Sequence, residues 1–120
     1  MSEASLQRLL GTHALITGAN RGIGAAIARA MSEAGADVTL LVRDAAAGEA
    51  MAATLSGRAH VVTASVTAEA AVQSAVRAAE ATFGPVHMAI NNAGAVESAR
   101  FLATDTAAWQ RLFEVNTLGA

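Results

Sequence analysis

Three glycines in the spacing G-x-x-x-G-x-G form the pattern in this chain that most clearly indicates chemistry. Gly18, Gly22 and Gly24 follow the apolar residues 14–16 and precede a helical pattern over residues 25–31. Where a strand turns into a helix, the first backbone N–H groups of the helix have no intrahelical partner, and the helix dipole makes that end partly positive. The pattern therefore predicts a site for the anionic diphosphate of a nucleotide.

Each glycine is expected to have a separate role in such a turn. Gly18 can adopt tight-turn conformations that are closed to other residues. Gly22 has no side chain that would keep the phosphates away, and Gly24 lets the helix pack closely on the strand. A glycine pattern alone is a weak signal, because short glycine-rich turns also occur in loops that bind nothing.

Two further segments strengthen the interpretation. The apolar residues 88–90 lead into Asn91, Asn92, Ala93 and Gly94, and Asn116 follows later in the sequence F-E-V-N-T. This combination resembles the short-chain dehydrogenase/reductase family, whose members carry a Thr-Gly-x-x-x-Gly-x-Gly turn, an Asn-Asn-Ala-Gly segment after the fourth strand and an Asn in the following helix. The resemblance runs from Gly11 to the last residue and covers the first half of a typical member, its cofactor-binding half.

The resemblance implies which residues bind a nicotinamide dinucleotide and which one takes part in catalysis. The expected cofactor-binding residues are Thr17, Gly18, Asn20, Arg21, Gly22, Ile23, Gly24, Arg43, Ser65, Val66, Asn91, Asn92, Ala93 and Gly94. The expected catalytic residue is Asn116, because the matching Asn of the family holds a proton-relay water. A methyltransferase-type glycine loop is a weaker alternative, against which the Asn-Asn-Ala-Gly segment argues.

The end of the second predicted strand indicates which nucleotide is preferred. Dinucleotide folds that prefer NAD place an acidic residue there, where it binds the ribose hydroxyls and repels an added phosphate. Here that position holds Val42, Arg43 follows it, and Arg21 lies in the glycine turn. Two guanidinium groups can donate charge-assisted hydrogen bonds to a 2′-phosphate, so we expect NADP(H) to be favoured over NAD(H). Two alternatives stay open: Arg43 is a solvated strand-end residue neutralised by Asp44, or Asp44 is itself a ribose ligand.

Two positions depart from the family pattern. Ser65 stands where members usually have an Asp that bonds the adenine amino group, so looser adenine binding is expected. His87 stands where an Asp often precedes the Asn-Asn-Ala-Gly segment, which leaves the hydrogen bonding at this point open.

The chain alternates short apolar runs with longer helical patterns, which is typical of βαβ units and a parallel sheet. Strands are predicted over residues 12–17, 37–42, 59–64 and 86–90, and helices over residues 23–34, 45–55, 67–82 and 106–118, the second of them capped by Asp44. Right-handed crossovers put the first three strands in the order 3-2-1, and the resemblance places the fourth beside the first. We therefore expect one α/β domain over residues 1–120, a doubly wound Rossmann-like parallel sheet of order 3-2-1-4 that ends before the later strands of the family.

Composition argues against several functional classes. Hydrophobic residues make up 53% of the chain and aromatic residues only 3%, so the core must consist of small aliphatic side chains. A net charge of -2 without a basic stripe argues against nucleic-acid binding. The chain has no cysteine, and His13, His60 and His87 lack ligand spacing, so no metal site is expected. No apolar run is long enough for a membrane span and residues 1–10 lack a signal-peptide pattern, so we expect no membrane contact and a cytoplasmic location.

The catalytic group of the family is only partly present. In the family, a hydride moves between the nicotinamide and the carbonyl or alcohol carbon of a small molecule, while a Tyr with a pKa lowered by a nearby Lys exchanges the proton. The chain contains no Tyr and no Lys, so these 120 residues are expected to be the cofactor half of an NAD(P)-dependent oxidoreductase and inactive alone. The alternative is a non-catalytic NADP-binding or regulatory module. The outer edge of the fourth strand is expected to lack a neighbour, which favours self-association or a homo-oligomer.

Overall fold

The computed structural model describes residues 7–95 and 103–120, and these residues form one parallel sheet with helices packed on it. The strands are β1 (His13–Thr17), β2 (Asp37–Val42), β3 (Ala59–Thr63) and β4 (Met88–Ile90). The helices are α1 (Gly22–Glu33), α2 (Ala45–Ala52), α3 (Glu69–Phe83) and α4 (Thr106–Phe113), and a π-helical turn over Glu114–Leu118 continues α4. The strand order β3-β2-β1-β4 confirms the predicted Rossmann-like topology.

The core has two apolar layers, one on each face of the sheet, because successive side chains of a strand point to opposite faces. All five residues of β1 and the last five of β2 are buried. Ile16 and Leu40 pack with residues of α1 and α2 on one face, whereas Leu15 and Leu41 pack with residues of α3 on the other. The helices meet the sheet mainly through alanines, which lets the layers approach closely.

Two helices differ from their predicted bounds because local hydrogen bonds form turns instead. The third helix is predicted from residue 67, which is wrong: the hydroxyl oxygens of Ser65 and Thr67 lie 2.7 Å apart, and the N–H of Ala68 donates to the carbonyl of Ser65. This turn delays the helix to Glu69. The second helix ends at Ala52, before its predicted end at residue 55, in a tighter turn closed by bonds that span three residues.

The amino edge of the sheet carries a polar and aromatic cluster. The guanidinium of Arg58 donates two hydrogen bonds to the carboxylate of Asp37, with Nε 2.9 Å from Oδ1, and lies 4.9 Å from the ring centre of Phe83. The hydrogen bond from Arg58 holds the pKa of Asp37 below its usual value. His13 is the first residue of β1, and only 1% of its surface is exposed.

Within residues 7–95 and 103–120, no helix is both long and apolar enough to cross a membrane. The same residues contain no group of three or more His, Asp or Glu side chains that could hold a metal ion. The start of the segment considered for a signal peptide, residues 1–6, lies outside the described residues.

Candidate functional site

A groove of about 560 Å³ lies at the carboxyl edge of the sheet. The strand order reverses at β1, so the chain segments that leave β1 and β4 separate, and open α/β sheets bind ligands in such a crevice. Its volume is within the range of about 300–1,000 Å³ that is usual for small-molecule sites. The groove is lined by Gly18, Asn20, Arg21, Gly22, Ile23, Leu41, Val42, Arg43, Asp44, Ala64, Ser65, Val66, Asn92, Ala93, Gly94, Ala95 and Val115.

Most of the residues predicted from the sequence line this one groove. They come from the glycine turn, the end of β2, the loop after β3 and the segment after β4. Four predicted residues lie outside the lining, namely Thr17, Gly24, Asn91 and Asn116. The sequence reasoning missed the lining residues Leu41, Ala64, Ala95 and Val115. Each of these is adjacent in sequence to a residue that the reasoning had singled out, and this adjacency was the available signal.

The glycine turn presents an open helix end to the groove. Gly18 and Gly22 both have positive φ, at 63° and 59°, which other residues rarely adopt. The first intrahelical hydrogen bond of α1 runs from the N–H of Ala25 to the carbonyl of Arg21, so the three N–H groups before Ala25 have no acceptor within the helix. Among the described residues, no side chain of the N-cap position bonds them, and a Cβ at Gly22 would meet no atom within 4 Å. This end of α1 can therefore accept an anion at close range.

Gly24 has the close-packing role that the pattern predicted. A Cβ at this position would overlap the carbonyl oxygen of Gly18 and lie 2.5 Å from Nδ2 of Asn92. Gly24 is buried in the first turn of α1, facing the end of β1. The residue therefore shapes the groove without lining it.

Thr17 and Asn92 join the ends of β1 and β4. The hydroxyl oxygen of Thr17 accepts hydrogen bonds from the N–H groups of Asn92 and Ala93, at 3.0 and 2.8 Å. In return, Nδ2 of Asn92 lies 3.2 Å from the carbonyl oxygens of both Thr17 and Gly18. These bonds fix the glycine turn against the wall of the groove that Ala93 and Gly94 form.

Three charged side chains line the groove where β2 ends and α1 begins. Arg21 and Arg43 are exposed, and they outnumber the single carboxylate, Asp44. Oδ1 of Asp44 accepts the N–H of Ala47 at 3.2 Å, which confirms the predicted N-cap of the second helix. Because two guanidinium groups lie with one carboxylate here, the net charge of the described side chains at this end is positive.

The loop after β3 forms the other side of the groove near the end of β2. The hydroxyl of Ser65 is bonded to the Thr67 hydroxyl and accepts the N–H of Thr67 at 3.3 Å. Val66 lies against the turn after α4, because a Cβ at Gly119 would come within 2.8 Å of its Cγ2. The Ser65 side chain is thus engaged locally and lines the groove as a neutral, polar group.

Asn116 lies in the π-helical turn that follows α4. Its Oδ1 accepts the N–H of Ala95 at 2.8 Å, and its Nδ2 donates to the carbonyl of Ala95 at 2.8 Å. A helix over residues 106–118 is predicted from the sequence, but the α-helical part ends at Phe113. Single π-helical turns occur often at functional sites. The amide of Asn116 keeps one further donor and one further acceptor for a ligand or a water molecule.

Comparison with known proteins identifies the family. The family model of short chain dehydrogenases matches residues 12–120. An uncharacterized oxidoreductase of Methylorubrum extorquens is 36% identical over 119 residues (95% of this chain, 48% of that protein), and L-fucose dehydrogenase of Mus musculus is 38% identical over 118 residues (97% and 42%). The crystal structure of a short-chain type dehydrogenase/reductase from Mycobacterium marinum superposes with a TM-score of 0.90 at 34% identity, covering 99% of this chain and 49% of that one. The chain thus spans about half the length of the relatives that it matches. It belongs to the short chain dehydrogenase family.

Proposed function

We propose that this chain is the cofactor-binding part of an NAD(P)-dependent short-chain oxidoreductase. The observation that carries the proposal is the open amino end of α1, where three N–H groups without helical acceptors adjoin Gly22 at the point of strand reversal. A diphosphate bound there gains hydrogen bonds to these amides and a favourable interaction with the helix dipole. The residues present fit such a group, because no atom of the described residues would lie within 4 Å of a Cβ at Gly22.

We further propose that NADP(H) is preferred over NAD(H). Arg43 follows the end of β2, where the adenosine ribose of a dinucleotide is bound in this fold, and Arg21 lines the same groove from the glycine turn. Among the described residues of the lining, Asp44 is the one carboxylate, and its Oδ1 accepts the N–H of Ala47 as a helix cap. Charge-assisted hydrogen bonds from the guanidinium groups to a 2′-phosphate favour the phosphorylated cofactor.

The residues of this chain bind and orient in the proposed reaction. When bound, the dinucleotide supplies a hydride to, or accepts one from, a carbonyl or alcohol carbon. Thr17, Asn92 and Gly24 hold the glycine turn and the wall after β4 in a fixed relation. The amide of Asn116 has the remaining hydrogen-bonding capacity that a proton-relay water needs.

Binding of the two cofactors to the purified chain tests the proposal. Isothermal titration calorimetry should give NADPH an affinity at least about tenfold higher than NADH, which corresponds to one charge-assisted hydrogen bond of about 1.5 kcal/mol. Arg43→Ala should remove most of this difference and leave NADH binding unchanged. Arg77→Ala is the matched control, because Arg77 is an exposed arginine on α3 whose Nη2 bonds Ser74. Equal or tighter binding of NADH would refute the preference, and binding of neither cofactor would refute the site.

A second function, a non-catalytic NADP-binding or regulatory module, is favoured by one observation: the 120 residues contain no Tyr and no Lys. Under either proposal the chain alone should not reduce ketones with NADPH, and turnover of any member of a ketone panel would contradict this. Reading the gene beyond codon 120 separates the two. A downstream Tyr-x-x-x-Lys supports the oxidoreductase, and a stop codon supports the module.

We also propose that the complete protein acts on a small carbonyl or alcohol compound, and that these 120 residues on their own self-associate. The named relatives include an L-fucose dehydrogenase and a galactitol 2-dehydrogenase, which supports a small-molecule substrate. In the described sheet, β4 pairs with β1 alone, so its other edge is open to pairing. Light scattering over a concentration series should show a mass above that of one chain, and a constant monomer mass would refute the association.

A further inference from the structure

A pair of histidines joins the amino ends of β1 and β4, at the opposite edge of the sheet from the groove. The N–H of His87 donates to the carbonyl of His13 at 2.9 Å, and the N–H of His13 donates to the imidazole Nδ1 of His87 at 2.9 Å. His13 is buried, whereas the side chain of His87 reaches the surface. The imidazole of His87 therefore serves as the acceptor for a backbone donor of a central strand.

This geometry fixes the protonation state of one ring nitrogen. A backbone N–H can only donate, so Nδ1 of His87 must accept through its lone pair. A proton on Nδ1 would turn the acceptor into a donor and place two N–H groups against each other. The hydrogen bond consequently exists only while His87 is neutral.

We propose that His87 is a pH-sensitive clip that holds β4 against β1 when neutral and releases that end of β4 when protonated. The clip matters because β4 is short: Met88, Ala89 and Ile90 are its residues paired with β1. Protonation of His87 removes one of the two hydrogen bonds that join His13 and His87 at the amino end of this strand. Stability is therefore present at neutral pH and is lost as pH falls through the range in which imidazole takes up a proton.

The side-chain hydrogen bonds of the buried neighbour His13 do not require an unprotonated Nδ1. Its Nδ1 lies 2.9 Å from the carbonyl of Gly84 and so carries a proton, and its Nε2 lies 2.7 Å from the hydroxyl oxygen of Thr39. A second proton on Nε2 would leave both hydrogen bonds in place, because the hydroxyl can accept as well as donate. His87 is thus the member of the pair whose hydrogen bond depends on neutrality.

The other titratable groups at this amino edge of the sheet are Asp37, at the start of β2, Arg58, just before β3, and His60, in β3. Asp37 is paired with Arg58, and that hydrogen bond lowers the pKa of Asp37, so this pair keeps its charges while imidazoles titrate. His60 lies edge-on to Phe83 at 6.2 Å between ring centres, is paired in register with Thr39, and has a buried Nδ1 that finds no hydrogen-bond partner among the described residues. The last residue of α3, Phe83, and the following Gly84 also belong to the cluster, and neither titrates.

Nuclear magnetic resonance of the uniformly ¹⁵N-labelled chain tests the clip directly. A scalar coupling across the hydrogen bond between the His13 amide nitrogen and Nδ1 of His87 should be present near pH 7.5 and lost near pH 5.5, because protonated Nδ1 has no lone pair to accept the hydrogen bond. Over the same range the folding equilibrium constant of the wild type from urea unfolding should fall about tenfold relative to His87→Asn. The asparagine keeps an acceptor in the position of Nδ1 but does not titrate.

Two more variants complete the test. His87→Ala should show at neutral pH the lowered stability that the wild type reaches only in acid. His60→Asn removes a different histidine of the cluster and should keep the acid response of the wild type. The proposal would be overturned if the loss of stability in acid persisted in His87→Asn or disappeared in His60→Asn. It would also be overturned if the coupling between His13 and His87 survived at pH 5.5. All readouts concern the folded chain itself, so they do not depend on whether NADP(H) binds.

Discussion

Replacing Gly24 by alanine tests whether close packing at the start of α1 limits both stability and cofactor binding. The added Cβ would overlap the carbonyl oxygen of Gly18 and lie 2.5 Å from Nδ2 of Asn92. Neither Gly18 nor Asn92 can move away without disturbing hydrogen bonds. The N–H of Gly18 is bonded to the carbonyl of Leu41, and Nδ2 of Asn92 is bonded to the carbonyl oxygens at the end of β1.

Gly24→Ala is expected to lower the free energy of unfolding, whereas helix propensity alone would raise it. Alanine in place of glycine within a helix is worth about 1 kcal/mol in favour of folding. Overpacking of a close contact costs about 1–3 kcal/mol, and the upper end applies here because the obstructing atom belongs to the backbone. We therefore expect Gly24→Ala to lower the free energy of unfolding by about 2 kcal/mol.

Urea denaturation of the wild type and two variants measures this effect. Ala26→Gly is the matched control, because Ala26 is an exposed residue of the same helix and reports the propensity difference without a clash. It should lose about 1 kcal/mol. Calorimetric titration of Gly24→Ala with NADPH should also show weaker binding, since displacement of Gly18 moves the glycine turn. A Gly24→Ala variant at least as stable as the wild type would refute the packing argument.

Three further outcomes are expected. Thr17→Val leaves the N–H of Ala93 without its acceptor, whereas the N–H of Asn92 keeps the carbonyl of Ile90, so hydrogen exchange should accelerate at least about tenfold at Ala93, while Thr17→Ser keeps that amide protected; equal exchange at Ala93 in both variants would contradict this. Asn116→Asp replaces the donor to the carbonyl of residue 95 by a carboxylate oxygen and should cost about 1 kcal/mol in urea unfolding, and an unchanged midpoint would count against the contact. The lowered pKa of Asp37 gives stability that is present above its usual value of 3.8 and lost as pH falls through the lower folded value, so the advantage of the wild type over Asp37→Asn should shrink in acid; an advantage that is constant with pH would contradict the ion pair.

The sheet and its order could be predicted because local signals determine them. Residues such as Leu15 and Ile16 lie in short apolar runs separated by helical patterns, and such runs form buried parallel strands whatever their later contacts are. The boundaries of the helices could be predicted less exactly from the sequence. Thr67 has the residue type of a helix start, but its hydroxyl bonds Ser65 and makes it part of a turn.

Residues that line the groove could be predicted from the sequence. The hydrogen-bond partners of residues such as Thr17 and His13, which hold the strands together, could not. Gly18 and Gly22 were identified because a turn into a helix requires them locally. The bond between Thr17 and Ala93 joins residues 76 positions apart, and that between His13 and Gly84 joins residues 71 positions apart. No period or spacing in one sequence encodes such pairs, because they depend on how the strands come together.

These distant polar contacts decide how firmly the wall of the groove is held. β2 pairs with a strand on each side through five residue pairs, whereas β4 pairs with β1 through three. A strand that short gains little from its own ladder, so side chains at its two ends must supply the rest: the hydroxyl of Thr17 at the groove and the imidazole of His87 at the opposite edge. Perturbing either end should therefore loosen β4 more than removal of an apolar contact within it, and the wall formed by Ala93 and Gly94 depends on both.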